Sequence, residues 1–184
     1  MKKFALLLSL FLCLPLAQGF GQLGVPGSDK TQTFTISATV LSALTITKNS
    51  DLLFGGVYQG TTQSILPNGT PTYAAGSTQS AASLQIGGAS NREVIMQFTG
   101  HTTLANGTNN LAVTYTSTDA VFVEGTAGPS GGATWDPTSA THTDNLDATG
   151  VATVYLGGTV SPGSALATGT YSATATLTVG YTGN

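Results

Sequence analysis

The sequence predicts an all-β sandwich, and three observations carry that prediction. No stretch shows helical periodicity of useful length, many short runs alternate apolar and polar residues, and Gly, Asn and Pro turns separate those runs at intervals of about ten residues. The longest run, Tyr171 to Tyr181, alternates without a slip. Tyr171, Ala173, Ala175, Leu177, Val179 and Tyr181 fall on one face, and Ser172, Thr174, Thr176 and Thr178 on the other. Successive side chains of a strand point to opposite sides, so this run predicts one long strand with a dry face and a hydroxyl face, opened by Gly169. Something must cover the dry face.

The other elements follow in chain order. Residues 20–33 are Gly-rich and polar and predict a mobile leader. Phe34, Ile36, Ala38 and Val40 then alternate with Thr35, Ser37 and Thr39. The phase breaks at Leu41-Ser42-Ala43 and resumes with Leu44 and Ile46. That pattern fits one strand with a bulge, or two strands with a handover between them. Lys48 to Asp51 is expected to turn. Leu52 to Tyr58 is a short strand carrying the pair Gly55-Gly56, which marks a bulge or a close backbone approach. Thr61 to Leu66, Ser83 to Ile86, Arg92 to Thr99, Leu111 to Ser117, Ala120 to Glu124 and Val151 to Val160 are further strands. Pro67-Asn68-Gly69, Asn106-Gly107 and Ser161-Pro162-Gly163 turn the chain. Residues 125–149 are the least patterned and read as a long loop, or two small loops around a minor strand. A single domain over 34–184 is the expectation.

The first 19 residues read as a secretory signal. Lys2 and Lys3 precede an apolar stretch from Phe4 to Leu16, and Ala17-Gln18-Gly19 supplies small residues for cleavage, with Gly21 a second candidate. The apolar stretch is too short for a membrane span. Cys13 raises a lipoprotein alternative, but Leu12 stands where a small residue is needed. Cys13 is the only cysteine of the chain and leaves with the signal, so a disulfide, a thiol nucleophile and a Cys-based zinc site are excluded from the processed protein. Processing also removes Lys2 and Lys3, leaving three basic residues (Lys30, Lys48 and Arg92) against eight acidic ones, a net charge of −5. Without a basic cluster, nucleic acid and anionic membrane surfaces are not expected partners. Charged residues make up 7% of the chain, against roughly 25% in an ordinary soluble domain. Such a surface lacks the usual electrostatic guard against self-association. It suits either a neutral extracellular β-protein or a subunit that packs against its own copies.

Catalytic patterns are weak. Gly128-Pro129-Ser130-Gly131-Gly132 matches G-x-S-x-G by letters, but a nucleophile elbow needs a strand before the Ser and a helix after it. His101 and His142 are expected to be solvent-exposed loop residues, and His142-Thr143-Asp144 lacks a third ligand at a telling spacing. Asp136, Asp144, Asn145 and Asp147 offer oxygen ligands without the alternating pattern of a calcium loop. Asn68-Gly69-Thr70 and Asn106-Gly107-Thr108 spell glycosylation acceptors, yet Asn-Gly turn chemistry explains both. No enzymatic activity, cofactor or metal is expected.

Two regions carry a resemblance. The segment Thr33 to Thr47 with Leu52-Leu53-Phe54-Gly55-Gly56-Val57-Tyr58, and the end of the chain with Gly157-Gly158, Gly169-Thr170-Tyr171 and the alternating strand to Tyr181, resemble spore-coat-protein-U-like and related fimbrial subunits. They are most similar to the bacterial secreted family called domain of unknown function 4402. The resemblance implies an immunoglobulin-like, pilin-like sandwich that lacks its last strand. It further implies a periplasmic chaperone, an outer-membrane usher and copies of the same or related subunits as partners, with the filled product on the cell surface. The donated strand would be Phe34, Ile36, Ser37, Ala38 and Val40. The acceptor groove would be lined in part by Gly169, Tyr171, Leu177, Val179 and Tyr181. Two departures stand out: Leu44 occupies the place of an expected cysteine, and three residues rather than one follow Tyr181.

Two functions therefore remain open from sequence. One is an exported structural subunit of a fimbria-like filament built by strand donation. The other is a self-contained secreted sandwich that binds carbohydrate or another surface ligand, with Trp135 as a stacking residue and residues 33–47 as its ordinary first strand.

Overall fold

Alternation becomes hydrogen-bonded ladders over much of the chain. The computed structural model describes residues 30–72 and 78–183, so the signal expected at 1–19 and residues 20–29 of the leader lie outside it. The described residues contain twelve strands and no helix. The backbone divides into two units, Met1–Thr39 and Val40–Asn184. In the first, Lys30 to Thr39 form no regular secondary structure and are exposed throughout.

The second unit holds all twelve of these strands. They are β1 (Thr45–Ser50), β2 (Gln63–Ile65), β3 (Ala82–Gly87), β4 (Glu93–Thr99), β5 (Thr103–Asn106), β6 (Asn109–Thr114), β7 (Ala120–Glu124), β8 (Ala133–Trp135), β9 (His142–Asn145), β10 (Val151–Leu156), β11 (Gly158–Val160) and β12 (Thr176–Tyr181). A five-stranded sheet runs β1-β3-β10-β7-β8, a three-stranded sheet β12-β4-β9, and a four-stranded sheet β2-β11-β6-β5. Every pairing between these strands is antiparallel.

The first two sheets pack face to face. Residues opposite each other in an antiparallel pair share a face, which gives inward rows of Ile86, Ala152, Val154 and Phe122 from one sheet and Val94, Met96, Phe98 and Leu177 from the other. These side chains, with Ala120, Leu146 and Leu156, form the main core. A second core of Phe54, Ile65, Ala81, Val113 and Val160 fills the four-stranded end. The architecture is that of an all-β sandwich.

The expected strand from Val151 to Val160 is divided by its glycine pair. β10 belongs to one sheet and β11 to another, and the break falls at Gly157, where a Cβ would strike the carbonyl oxygen of Ile65. Only hydrogen allows the chain to pass from sheet to sheet at that point. Other expectations are corrected. β12 begins at Thr176, not Tyr171. Its neighbour β4 ends at Thr99; Gly100, with φ 71°, lies so close to the run-in that a Cβ would strike the Thr174 carbonyl oxygen, and the ladder goes no further. Upstream, that run-in touches β5 through one bridge, Ala105 to Ser172. The turn expected at Lys48 to Asp51 is instead the end of β1, with a register shift between Lys48 and Ser50. Leu52 to Tyr58 forms no strand, only a bridge from Leu53 to Ser80. The weakly patterned stretch 125–149 supplies two short strands, β8 and β9.

β8 and β9 are the edges of the two facing sheets, and aromatic side chains join them. The rings of Trp135 and His142 lie parallel, 4.2 Å apart at 2°, and Phe98 lies 6.3 Å from Trp135 at 18°. This seam of the sandwich is sealed by ring stacking. Trp135→Ala should therefore lower stability by about 3 kcal/mol, within the range of large-to-small aromatic truncations. Urea unfolding followed by circular dichroism would measure it.

Candidate functional site

The opposite seam is open. β1 and β12 are the other edges of the same two sheets, each with one strand neighbour among the described residues. Beside the end of β1, at Lys48 and Ser50, and the start of β12, at Leu177, lies a trough of about 1050 Å³. Residues 50–59 form one wall and residues 166–175 the other. Leu84, Phe98 and Leu156 of the main core and Phe54, Val113 and Val160 of the second core form the floor. Leu52 and Tyr115 pack against both cores and join them beneath the trough.

Polar contacts close the two ends. The Tyr181 hydroxyl donates to the Ser42 carbonyl at 2.8 Å and accepts from the Ala89 N–H at 2.6 Å, tying the end of β12 to the lead into β1. Gly88 makes this fit: a Cβ there would meet the Tyr181 hydroxyl and the side chains of Leu146 and Leu44. At the far end, the Gln59 amide donates to the Leu166 carbonyl, and the Gly60 N–H donates to the Pro162 carbonyl at 2.8 Å. The slot between these ties is lined by the interior side chains of a sandwich that has no strand lying across them.

The residues expected at the acceptor groove divide. Gly169, Tyr171 and Leu177 line the trough. Leu177 is buried against Phe98 in the core. Val179 is half-buried, pairs with Met96 and packs on the main core beyond the trough. Tyr181 forms the end tie. Ala173 and Ala175, on the expected dry face, are exposed within the trough wall. The expected donor residues Phe34, Ile36, Ser37, Ala38 and Val40 belong to no strand. Phe34, Ile36 and Val40 are 81%, 84% and 94% exposed, unusual for large apolar side chains in a row.

The wall from Leu52 to Gln59 was not legible as a groove. Its Gly55-Gly56 pair signals irregular backbone, and Gly55 has φ 73°. His101 was also misplaced. It is 8% exposed, in the trough floor, with its ring 5.9 Å from Phe98 and 5.1 Å from Tyr115. Its carbonyl accepts from the Tyr115 hydroxyl at 2.8 Å. Burial lowers the His101 pKa, while the backbone of Pro137 and Thr99 and the charge of Asp136 offset part of that shift. Burial likewise lowers the pKa of His142 against the opposing effect of Asp144, 3.7 Å away. Burial pushes the Tyr115 phenol up, and Asp119 adds to that. Of the residues weighed for calcium, Asp144 and Asn145 belong to β9, and Asp136 and Asp147 are engaged in turns. Asp136 Oδ1 accepts from the Thr138 N–H and hydroxyl, and Asp147 Oδ1 from the N–H groups of Thr149 and Val151 and the Thr149 hydroxyl. No cluster of three or more His, Cys, Asp or Glu suited to a metal occurs among the described residues.

What this arrangement can do is receive an extended apolar segment. It offers side-chain pockets from two cores and backbone from two sheet edges, the two requirements of strand addition. No protein-family model and no curated protein matches the chain.

Two outcomes are expected. Folding favours the neutral forms of His101 and His142, whose folded pKa values lie below the ordinary 6.5. As pH falls below that value the unfolded chain binds protons first, so stability is full above it and declines as pH drops through the folded values. Urea midpoints should be level above about pH 7.5 and fall by about pH 5.5. Tyr181→Phe should cost about 1 kcal/mol through its lost hydrogen bonds, read by the same unfolding curves.

Proposed function

We propose that this chain is an exported structural subunit of a fimbria-like surface filament, in which the N-terminal strand of one copy fills the trough of the next. The observation that carries the reading is the trough: both cores of the sandwich meet at an open apolar slot beside the ends of β1 and β12, edge strands with one neighbour each among the described residues. A bare edge beside bare hydrophobic surface is an association site. The segment from Phe34 to Val40 has the complementary chemistry, with an exposed apolar row at every second position and no charge. Burying a Phe, Ile or Val side chain contributes about 1.5–3 kcal/mol. Backbone hydrogen bonds to the edges of β1 or β12 would add to this. A head-to-tail contact of this kind does not close on itself and so propagates as a filament.

An immunoglobulin-like, pilin-like topology, export through the periplasm, and a chaperone and usher as partners belong to the same proposal and rest on the resemblance of the two chain ends. The sparse charge of the surface fits a protein that associates with its own copies. The alternative of a carbohydrate-stacking Trp135 is disfavoured, because that ring is already stacked on His142.

Complementation of two variants tests the proposal. Ile36→Asp puts a charge in the donated row and leaves the trough intact. Ala175→Arg fills the trough wall with a long charged side chain and leaves the N-terminal segment intact. Each variant alone should lose self-association by at least about tenfold, the effect of roughly 1.4 kcal/mol, without a change in circular dichroism. An equal mixture should form one-to-one dimers in sedimentation experiments. Self-association unaffected by both substitutions would refute strand donation.

A further inference from the structure

The inner face of β1 carries a charge at the end of a rung that is otherwise apolar. One rung crosses four strands of the five-stranded sheet: Phe122 pairs with Val154, Val154 with Leu84, and Leu84 with Lys48. Paired residues share a face, so Lys48 points to the same side as Phe122 and Val154, both buried in the core. Leu84 and Lys48 both line the trough. The Lys48 ammonium does not enter the core. It sits at the rim, 2.8 Å from Asp51 Oδ1, with both side chains about three-fifths exposed. A lysine can lay its aliphatic stem along apolar surface while its head stays in water.

The neighbouring rung shows what the charge replaces. There Ile46 pairs with Ile86, and Ile86 with Ala152. Ile46 is 43% exposed although Ile86 and Ala152 are fully buried. Immediately after Lys48 the register of β1 shifts. The β12 side differs: from Thr168 to Gly183 there is no charged residue and no proline. The two edges that face the open seam are therefore chemically unequal.

We propose that Lys48 is a gatekeeper of the trough, which turns away a second copy presented side-on through its own β1 edge. The β12 edge is thereby left as the template on which an entering strand pairs. The proposal rests on the reading of the trough as a strand acceptor and adds to it which edge selects. A strand laid along all of β1 and closing the seam would strip water from the ammonium or pull it from Asp51, and an unpaired buried charge is costly. A strand aligned on β12 leaves the ammonium at the rim. Inward-pointing charges and bulges are established protections of sheet edges, and β1 carries both.

The test uses the full chain with Ile36→Asp, whose charge in the donated row blocks strand donation so that the remaining association is side-on. Adding Lys48→Ile should produce dimers at concentrations at least tenfold lower than the Ile36→Asp chain alone, with hydrogen-exchange protection gained at β1. Adding Lys48→Glu instead should leave the chain monomeric, because either sign of charge guards the edge. Circular dichroism verifies that each variant is folded. A monomeric Lys48→Ile variant, or a Lys48→Glu variant that dimerises as readily as Lys48→Ile, overturns the proposal. Neither result bears on strand donation, which the mixing of Ile36→Asp and Ala175→Arg chains decides separately.

Discussion

The structure depends on an imbalance between its two seams. A sandwich of two facing sheets has two places where edge strands must be reconciled across the core. At β8 and β9 the reconciliation is complete: Trp135 stacks on His142, and Phe98 lies against Trp135. At β1 and β12 it stops at Tyr181, whose hydroxyl ties the strand ends together. Beyond that tie the sheets part, and the main core runs out into the trough and meets the second one. Hydrophobic burial is the largest favourable contribution to folding, and here part of the apolar interior remains available to another segment of chain.

The polar contacts around the trough serve this imbalance. The Tyr181 tie, the room left by Gly88 and the Gln59–Leu166 contact hold the walls apart at fixed ends. Tyr115 braces the floor by donating to the His101 carbonyl. Its turn is held in place by Asp119, whose Oδ2 accepts from the Thr116 N–H and hydroxyl. The slot is thus a braced feature of the fold.

Much of the fold was legible because strand periodicity is a local signal. The row of β4 follows from alternation, β7 shows as a short apolar run, β3 and β10 show as runs rich in strand-forming residues, and the Asn106-Gly107 turn is where the β5–β6 hairpin closes. β5 was missed, and β8 and β9 were foreseen at most as one minor strand, because runs of three or four residues rich in Thr, Ala and Asn carry no strong period. The limits of β12 were misread for a different reason. Tyr171 to Ala175 have a faultless strand pattern, but a strand needs a hydrogen-bonded neighbour, and the ladder with β4 stops at Thr99. His101 looked like a loop histidine because nothing nearby in sequence announces Phe98 and Tyr115 around its ring. The site was half legible: Gly169, Tyr171 and Leu177 were placed at the groove from the chain's end, whereas the wall from Leu52 to Gln59 and the floor from two cores arise from contacts distant in sequence.

The ring stack at the sealed seam has a consequence for observing the open one. Trp135 is the only tryptophan of the chain, and Phe98 touches it on one side while lining the trough on the other. Indole emission responds to the polarity and mobility of its surroundings. Occupation of the slot would reach the indole through a single intervening phenyl ring. The molecule thus carries a built-in optical reporter of whether its empty strand position is filled.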